Sequence, residues 1–314
     1  MQDVGEFALI DRIIDPGDSG APFVLVGPGD DTAVVLAPDG RVVITCDMLV
    51  EGRHFRRDWS TAIDVGRKAA AASLADVAAM GARATSLVVS FGAPGDLPAV
   101  WAVSCTAGIR EEAAIVGAVI VGGDVVEAAQ VVISVTALGD LEGRAPVLRS
   151  GARPGDVLAI AGRFGWSAAG LALLQRGFKS PKVLVDAHRY PQPPYARGPE
   201  AAIAGATSMI DVSDGLVADA RHVAVASGVD IAIDTSAWEI PEPMQAAAAA
   251  YNVDPRGWML AGGEDHALLA TFPADSPLPT GFEAIGAVLP CAAEPAVTVD
   301  GVHRDEVGGH RHFS

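Results

Sequence analysis

Short apolar runs that end in acidic or glycine-rich turns recur along the first half of the chain. They are FVLVGPGDD, RVVITCD, GAVIVGGD and QVVISVTALGD, and each is rich in β-branched residues. Such runs predict buried β-strands. The segment AIDVGRKAAAASLADVAAMGA separates the second run from the third. Its alanine density, with Gly81 near its end, predicts a helix that stops at a glycine. Strands and helices therefore alternate here, and the alanine- and valine-rich composition suits helices packed on sheets.

A polar connection, LEGRAPVLRSGARPGD at 141–156, interrupts this pattern and predicts a domain boundary. We therefore expect an N-terminal domain over 1–140 and a C-terminal domain over 141–314, because 314 residues suffice for two ordinary domains. In the second half, VLAIAG, SMIDVSDGL and DIAID predict strands, and FGWSAAGLALLQRG predicts a helix. We expect the last strand near GAVLP.

Charge and composition exclude several classes of protein. The net charge of −17 argues against a nucleic-acid partner, because phosphate backbones are bound by clustered lysine and arginine. No apolar run approaches the roughly 20 residues of a membrane helix. Three widely spaced cysteines without a CxxC pair fit a reducing compartment, so we expect a cytoplasmic protein. Neither a P-loop motif nor a GxGxxG dinucleotide motif occurs.

Aspartates stand at the ends of several predicted strands. Any one of them is ordinarily a turn or cap residue. Their recurrence in separate loops instead favours a shared cation site, because Mg²⁺ takes oxygen ligands and is often shared between carboxylates and phosphates. These aspartates are Asp30, Asp31, Asp47, Asp124, Asp211 and Asp214.

Asp76 lies in the middle of the predicted helix, on a face of small residues that should pack against the fold. A carboxylate on such a face must be paired, hydrogen-bonded or metal-bound. The helix pattern alone leaves two interpretations open, a metal ligand or a solvated carboxylate that pairs with Lys68 or Arg83.

The motifs taken together, in order, resemble those of the thiamine-monophosphate kinase family. They are GEF, GPGDDTAVV, ITCDMLVEGRHF, GRKAAAASLADVAAMGA, IVGGD, VLRSGARPGD, MIDVSDGL and GGEDHALL, and they span residue 5 to about residue 270. The resemblance implies an aminoimidazole ribonucleotide synthetase-like fold, with an N-terminal mixed-sheet domain that forms a homodimer and a C-terminal α/β domain. It also implies ATP and thiamine monophosphate as ligands, with several Mg²⁺ ions.

The resemblance also implies roles for individual residues. The implied magnesium ligands are Asp30, Asp31, Thr45, Cys46 through its backbone, Asp47, Asp76, Asp124, Asp211 and Asp214. The implied ATP contacts are Gly123, Asp124, Arg149 and Ser213, and the implied substrate contacts are His54, Glu264 and His310. The chain departs from the family pattern at Cys46 and Val125, where threonine is usual, at GGEDHALL in place of GGEDYELL, and at His310 in place of an aromatic residue.

The implied reaction is transfer of the ATP γ-phosphoryl group to the phosphate of thiamine monophosphate. No general base is expected, because a phosphate acceptor is largely ionised at neutral pH. Alternatives are a superfamily enzyme with another acceptor, a metal-dependent phosphatase, and a non-catalytic nucleotide or thiamine-phosphate binding protein. Selenophosphate synthesis is disfavoured because no cysteine precedes Cys46, and hydrogenase maturation because the chain ends HRHFS without a terminal cysteine.

Overall fold

The computed structural model describes residues 9, 12–14, 20–27 and 33–304. The chain divides into two compact units. Unit 1 comprises Met1–Val77 and Ala82–Arg144, and unit 2 comprises Ala78–Gly81 and Ala145–Ser314. Within the described ranges, no helix combines the length and apolar character that crossing a membrane requires.

Unit 1 contains a four-stranded sheet in the order β3-β6-β4-β5 and a separate antiparallel pair, β1 and β2. Strands β4 and β5 are parallel and the other pairs of the larger sheet are antiparallel, so the sheet is mixed. Side chains of β6 alternate between buried and half-buried, as expected for a strand with one covered face. The strands are β1 Val24–Val26, β2 Val34–Val35, β3 Val43–Val50, β4 Arg83–Ala93, β5 Val119–Glu127 and β6 Val132–Asp140.

The described part of unit 1 also contains two long helices, α1 (Ala62–Ala79) and α2 (Ala99–Val116). Helix α1 packs on the sheet, where Ser73 Oγ lies 2.8 Å from the Val135 carbonyl oxygen of β6 and shares its one proton between that oxygen and the Asp47 carboxylate. Helices α1 and α2 approach closely at Gly66, because a Cβ atom there would overlap the Cys105 carbonyl oxygen. These backbone contacts fix where α1 lies on β3 and β6.

Unit 2 is built on a seven-stranded sheet in the order β13-β12-β9-β11-β7-β10-β8. All neighbours are antiparallel except β12 and β9, which are parallel. The strands are β7 Val157–Ala161, β8 Ser208–Val212, β9 Val229–Ile233, β10 Ala267–Phe272, β11 Phe282–Pro290, β12 Val297–Val299 and β13 Val302–His303.

Six helices and a 3₁₀ turn at Arg149–Gly151 accompany this sheet in the described part of unit 2. The helices are α3 Trp166–Gln175, α4 Lys182–Arg189, α5 Arg197–Ile203, α6 Leu216–Ser227, α7 Glu242–Tyr251 and α8 Pro255–Ala261. A hydrophobic core cluster joins β7, β8 and β9 to α6, with Leu158, Ile231 and Leu216 fully buried. The core therefore holds the start of α6 next to the end of β8.

The structure corrects the expected ends of two strands and the expected last strand, and it adds two elements between α1 and β5. Asp47 and Asp124 do not end strands, because β3 continues to Val50 and β5 to Glu127. The strand near GAVLP, β11, is not the last, since β12 and β13 follow it. Strand β4 and helix α2, which the motif pattern did not single out, lie between α1 and β5.

Candidate functional site

In unit 1, two hydrogen bonds join β3 to α1. The Thr45 hydroxyl donates to a carboxylate oxygen of Asp76 at 2.5 Å, and the Ser73 hydroxyl donates to a carboxylate oxygen of Asp47 at 2.8 Å. Thr45 and Asp47 are two residues apart on the strand and so share a face, while Ser73 and Asp76 are three apart on the helix and so share a side. The two hydrogen-bonded pairs therefore lie next to each other between β3 and α1.

This arrangement holds two carboxylates in defined orientations. Asp47 and Asp76 each accept a hydrogen bond from a hydroxyl group at one carboxylate oxygen. Both acidic side chains come from one strand–helix interface, where two like charges favour a bound cation over mutual repulsion. Carboxylate and hydroxyl oxygens are a donor set that suits a hard divalent cation.

Gly123 and Asp124 lie on β5, at the far edge of the same sheet. Gly123 is in register with Val89 of β4, and Asp124 is in register with the exposed Ser90. Val89 is in register with Val135 of β6, and Val135 is in register with Asp47 of β3, so Gly123 and Asp47 lie at the same level of the sheet. Asp124 lies one residue further along β5. Because successive residues of a strand face opposite sides, Asp124 and Asp47 point to opposite faces of this sheet. The Asp124 side chain is exposed and accepts the backbone N–H of Val125 at 2.9 Å.

His54 follows β3 in a short turn whose backbone is firmly held. Its Nδ1 accepts the backbone N–H of Val50 at 2.9 Å, and the buried Lys68 donates to its carbonyl oxygen at 3.0 Å. Because Nδ1 is an acceptor, a neutral His54 carries its proton on Nε2. The side chain of Cys46 is exposed on β3, 3.1 Å from the Ser134 hydroxyl.

In unit 2, the structure brings the IDVSD and GGEDH segments together. The Glu264 N–H donates to the Ser213 carbonyl at 2.9 Å, and the His266 N–H donates to the Val212 carbonyl at 3.1 Å. Gly263 has no room for a side chain, because an added Cβ would overlap the Ser213 carbonyl oxygen. The two motifs are therefore joined backbone to backbone.

Buried polar groups surround the end of β8. His266 Nδ1 lies 2.9 Å from Asp211 Oδ2. Asp219 is buried and accepts the backbone N–H groups of Asp214 and Gly215 at 3.0 and 3.1 Å. Burial, reinforced by the charges of Asp211 and Asp214, raises the pKa of Asp219 to about 7.

One group of three potential ligands stands out among the residues that the structure describes. Ligand atoms of Asp214, Asp219 and His222 all lie within 4.8 Å of one another. Asp214 was expected to bind metal, whereas Asp219 and His222 were not. Both come from the first two turns of α6, which begins at Leu216.

Glu264 and Asp265 lie beside the start of α3. The Glu264 carboxylate is 3.6 Å from His188 Nδ1, and His188 Nδ1 is 3.1 Å from the Ser167 hydroxyl. Asp265 is buried and accepts the Ser167 backbone N–H at 2.9 Å. Burial raises the pKa of Asp265 to about 7, although the N–H groups at the start of α3 act in the opposite direction.

The remaining expected residues lie in a turn, in a loop or outside the described residues. Arg149 is exposed in the 3₁₀ turn, and its carbonyl accepts the Ser227 hydroxyl at 2.8 Å. Ser213 is half-buried in the loop after β8. Asp30, Asp31 and His310 lie outside the described residues.

Several residues of these networks escaped sequence reasoning. Ser73 and His188 reach their partners only through packing of separate elements, so no local pattern marks them. Lys68 was considered only as a partner of Asp76, and its hydrogen bond to the His54 carbonyl was not expected. Asp219 carried a signal, because an acid within the first turn of a helix after a glycine turn often accepts the free N–H groups there. His266 was noted as a departure from the family pattern, without a role.

Comparison with known proteins identifies the family. Residues 29–141 match the family described as AIR synthase related protein, N-terminal domain. The thiamine-monophosphate kinase of Mycobacterium tuberculosis is 52% identical over 314 residues, which cover 100% of this chain and 93% of the relative. That of Corynebacterium glutamicum is 42% identical over 95% of this chain and 90% of the relative.

A solved structure extends the comparison to three dimensions. The structure described as AaThiL complexed with AMPPCP and TMP is 31% identical, with a TM-score of 0.81 over 100% of this chain and 98% of that chain. This likeness confirms the expected aminoimidazole ribonucleotide synthetase-like fold. On the near-complete coverage at 52% identity, the chain belongs to the thiamine-monophosphate kinase family of phosphotransferases.

Proposed function

We propose that this protein transfers the γ-phosphoryl group of ATP to the phosphate of thiamine monophosphate, giving thiamine diphosphate and ADP. The observation that carries the proposal is the likeness, over the whole chain, to a structure solved in complex with AMPPCP and TMP. AMPPCP is an ATP analogue, so the neighbour binds one ligand of each kind that the reaction requires. The hydrogen-bonded carboxylates of units 1 and 2 support the same activity.

The carboxylates present fit Mg²⁺. In unit 1, Asp47 and Asp76 each have one oxygen engaged by a hydroxyl, which orients the second oxygen. In unit 2, Asp211 and Asp214 would serve, with Ser213 between them as an ATP contact. When bound, Mg²⁺ would neutralise phosphate oxygens and align the two polyanions. Asp30, Asp31 and the Cys46 backbone complete the proposed ligands on the side of Asp47 and Asp76, and β3 is an edge strand whose alternate carbonyls face away from β6. Asp124 faces the other side of the sheet and would hold a separate ion.

The chain's own residues bind and orient the two polyanions rather than remove a proton. A phosphate monoester with a second pKa near 6 is mostly ionised at pH 7, so no general base is needed. His54 presents Nε2–H as a hydrogen-bond donor, because Nδ1 is occupied by the Val50 N–H. Gly123 has no room for a side chain, because an added Cβ would overlap the Val89 carbonyl oxygen, and it remains a proposed ATP contact through its backbone. Arg149 supplies an exposed guanidinium. Glu264 and His310 complete the proposed substrate contacts.

An ADP-release assay with components omitted in turn separates the candidate functions. A kinase releases ADP only when ATP, thiamine monophosphate and Mg²⁺ are all present. A phosphatase would release inorganic phosphate from thiamine monophosphate without ATP, and a binding protein would form no product. A superfamily enzyme with another acceptor would leave thiamine monophosphate unchanged. Any of these three outcomes would refute the proposal.

Single substitutions test the metal ligands of unit 1. We expect Asp47→Asn and Asp76→Asn each to lower kcat at least about 100-fold, because removing a ligand's charge weakens metal binding. Asp96→Asn is the matched control, since Asp96 is exposed in the turn before α2. Activity near that of the control in either ligand variant would contradict the assignment.

We also propose a homodimer that forms through the sheet of unit 1. Strand β3 is an edge strand whose outer face exposes apolar side chains, with Ile44 64% and Met48 56% exposed. An apolar edge of this kind is normally covered. Sedimentation equilibrium should give twice 32.0 kDa, and Ile44→Glu with Met48→Glu should give the monomer. Ile115→Glu on α2, where Ile115 is 61% exposed, is the control. A monomeric parent protein at micromolar concentration would refute the dimer.

We place the protein in the cytoplasm. ATP, its proposed co-substrate, is a cytoplasmic metabolite, and the three cysteines are all free, as expected in a reducing compartment. Immunodetection in fractionated cells tests this location.

A further inference from the structure

The backbone from Glu264 to His266 is strained. Glu264 has φ +63° and His266 has φ +55°, in the left-handed region that L-residues other than glycine rarely adopt. Such conformations are energetically unfavourable and persist only where surrounding contacts hold them. Neither residue is a glycine, although two glycines immediately precede them. The side chains at these positions therefore have roles that glycine could not fill.

Backbone contacts to the loop after β8 hold this segment in place. The Glu264 and His266 N–H groups donate to the Ser213 and Val212 carbonyls at 2.9 and 3.1 Å. Directly afterwards, Ala267 starts β10 and is in register with Val212 of β8. The strained segment is thus anchored to the same strand end that carries Asp211.

The His266 side chain contacts Asp211. His266 Nδ1 lies 2.9 Å from Asp211 Oδ2, and the two residues are only 8% and 4% exposed. A carboxylate buried to this extent needs a hydrogen-bond donor. The contact engages Oδ2, so it defines the direction in which Oδ1 points.

We propose that His266 is a positioning residue that orients the Asp211 carboxylate for a divalent cation. The proposal rests on the proposed function, in which Asp211 is a metal ligand. A donor behind a ligating carboxylate sets its orientation, and loss of such a partner typically costs 10- to 100-fold in metal affinity or activity.

Two substitutions separate the side-chain donor from the backbone conformation. His266→Gly adopts φ +55° without strain but lacks the donor. His266→Asn tolerates positive φ and keeps an N–H donor near the position of Nδ1. His266→Ala also lacks the donor and gives the same comparison should the glycine variant unfold.

Binding of Mn²⁺ to the full-length protein, followed by electron paramagnetic resonance of the free ion, provides a readout independent of turnover. We expect His266→Gly to weaken Mn²⁺ binding about 10-fold and His266→Asn to stay within about three-fold of the parent. The Mg²⁺ concentration for half-maximal activity should shift in parallel. Unchanged Mn²⁺ binding in His266→Gly, or an equal loss in His266→Asn, would overturn the positioning role.

Asp211→Asn distinguishes failure of this inference from failure of the proposed function. If Asp211→Asn binds Mn²⁺ as the parent does, Asp211 is not a ligand and the metal assignment itself fails, together with the inference. If Asp211→Asn weakens binding but His266→Gly does not, only the positioning role fails. When His266 acts through Asp211, adding His266→Gly to Asp211→Asn weakens binding no further. Additive losses in the double variant would contradict the proposal.

Discussion

The close approach of α1 and α2 predicts that Gly66→Ala destabilises unit 1. A methyl group at Gly66 would overlap the Cys105 carbonyl oxygen and lie 2.9 Å from the Ile109 backbone nitrogen. Ordinary contacts of a carbon atom begin at roughly 3.5 Å, so clearing the overlap with the carbonyl oxygen requires the helices to separate by more than about 1 Å. Both obstacles are backbone atoms, so no change of rotamer relieves the overlap.

The expected loss follows from the packing at this contact. A gap of this size forfeits roughly half or more of the dispersion energy between facing atoms. Overpacking a core typically costs ~1–3 kcal/mol, and the higher helix propensity of alanine returns about 1 kcal/mol. Val65 and Ala69, beside Gly66 on α1, are at most 2% exposed, so the site has little room to relax. We expect a net destabilisation of about 2 kcal/mol, at the upper end of this range.

Hydrogen exchange measured by mass spectrometry resolves this loss locally, which matters because two units need not unfold together. A loss of about 2 kcal/mol corresponds to roughly 30-fold faster exchange of α1 and α2 amides. Gly257→Ala is the control, because Gly257 lies in α8 with no atom within 4 Å of an added Cβ, and it should be neutral or stabilising. Unchanged protection of α1 in Gly66→Ala would refute the reasoning.

Three further predictions concern single side chains. Ser73→Ala removes the buried hydroxyl that donates to Asp47. We expect it to lower kcat about 10-fold, measured by steady-state kinetics. It should also lower the free energy of unfolding by about 1 kcal/mol, measured by thermal denaturation. Lys68→Met removes the donor to the His54 carbonyl and should raise KM for thiamine monophosphate several-fold while KM for ATP stays constant; equal rises would indicate general disruption. The pKa of Asp265 is raised from 3.8 to about 7, so its contribution to stability is complete below pH 3.8 and is lost as the pH rises through 7. Asp265→Asn should therefore lose less free energy of unfolding than the parent between pH 5.5 and 8 in urea denaturation, and equal losses would contradict the shift.

Local patterns predicted the elements well where the elements depend on local signals. The alanine-rich segment that ends near Gly81 is α1, and Gly81 has φ +73°, as a helix-terminating glycine requires. The apolar runs around Asp47 and Asp124 are β3 and β5. Their ends were wrong because ladder pairing continues past both acids, for example at Leu49, which is in register with Ile133 of β6. Pairing with a neighbour outweighs a turn signal.

The candidate site also has one part that the sequence predicts and one part that it does not. Its residue types could be read from the chain, because carboxylates, glycines and histidine reveal their chemistry through composition and motif. Their hydrogen-bond partners could not be read. Thr45 and Asp76 are 31 residues apart, and Asp211 and His266 are 55 apart. Periodicity reports only on near neighbours, so contacts at such separations leave no mark in a single sequence.

The amino-acid sequence by itself determined which groups are available, namely the acids for a hard cation, the alternation of strands and helices, and the motifs of the family. The tertiary structure alone decided which oxygen of each carboxylate is engaged, that Asp124 and Asp47 face opposite sides of their sheet, and that His266 contacts Asp211. The reason is physical. Residue identity sets the chemistry of a group, whereas sheet register and helix packing set its direction and its partner.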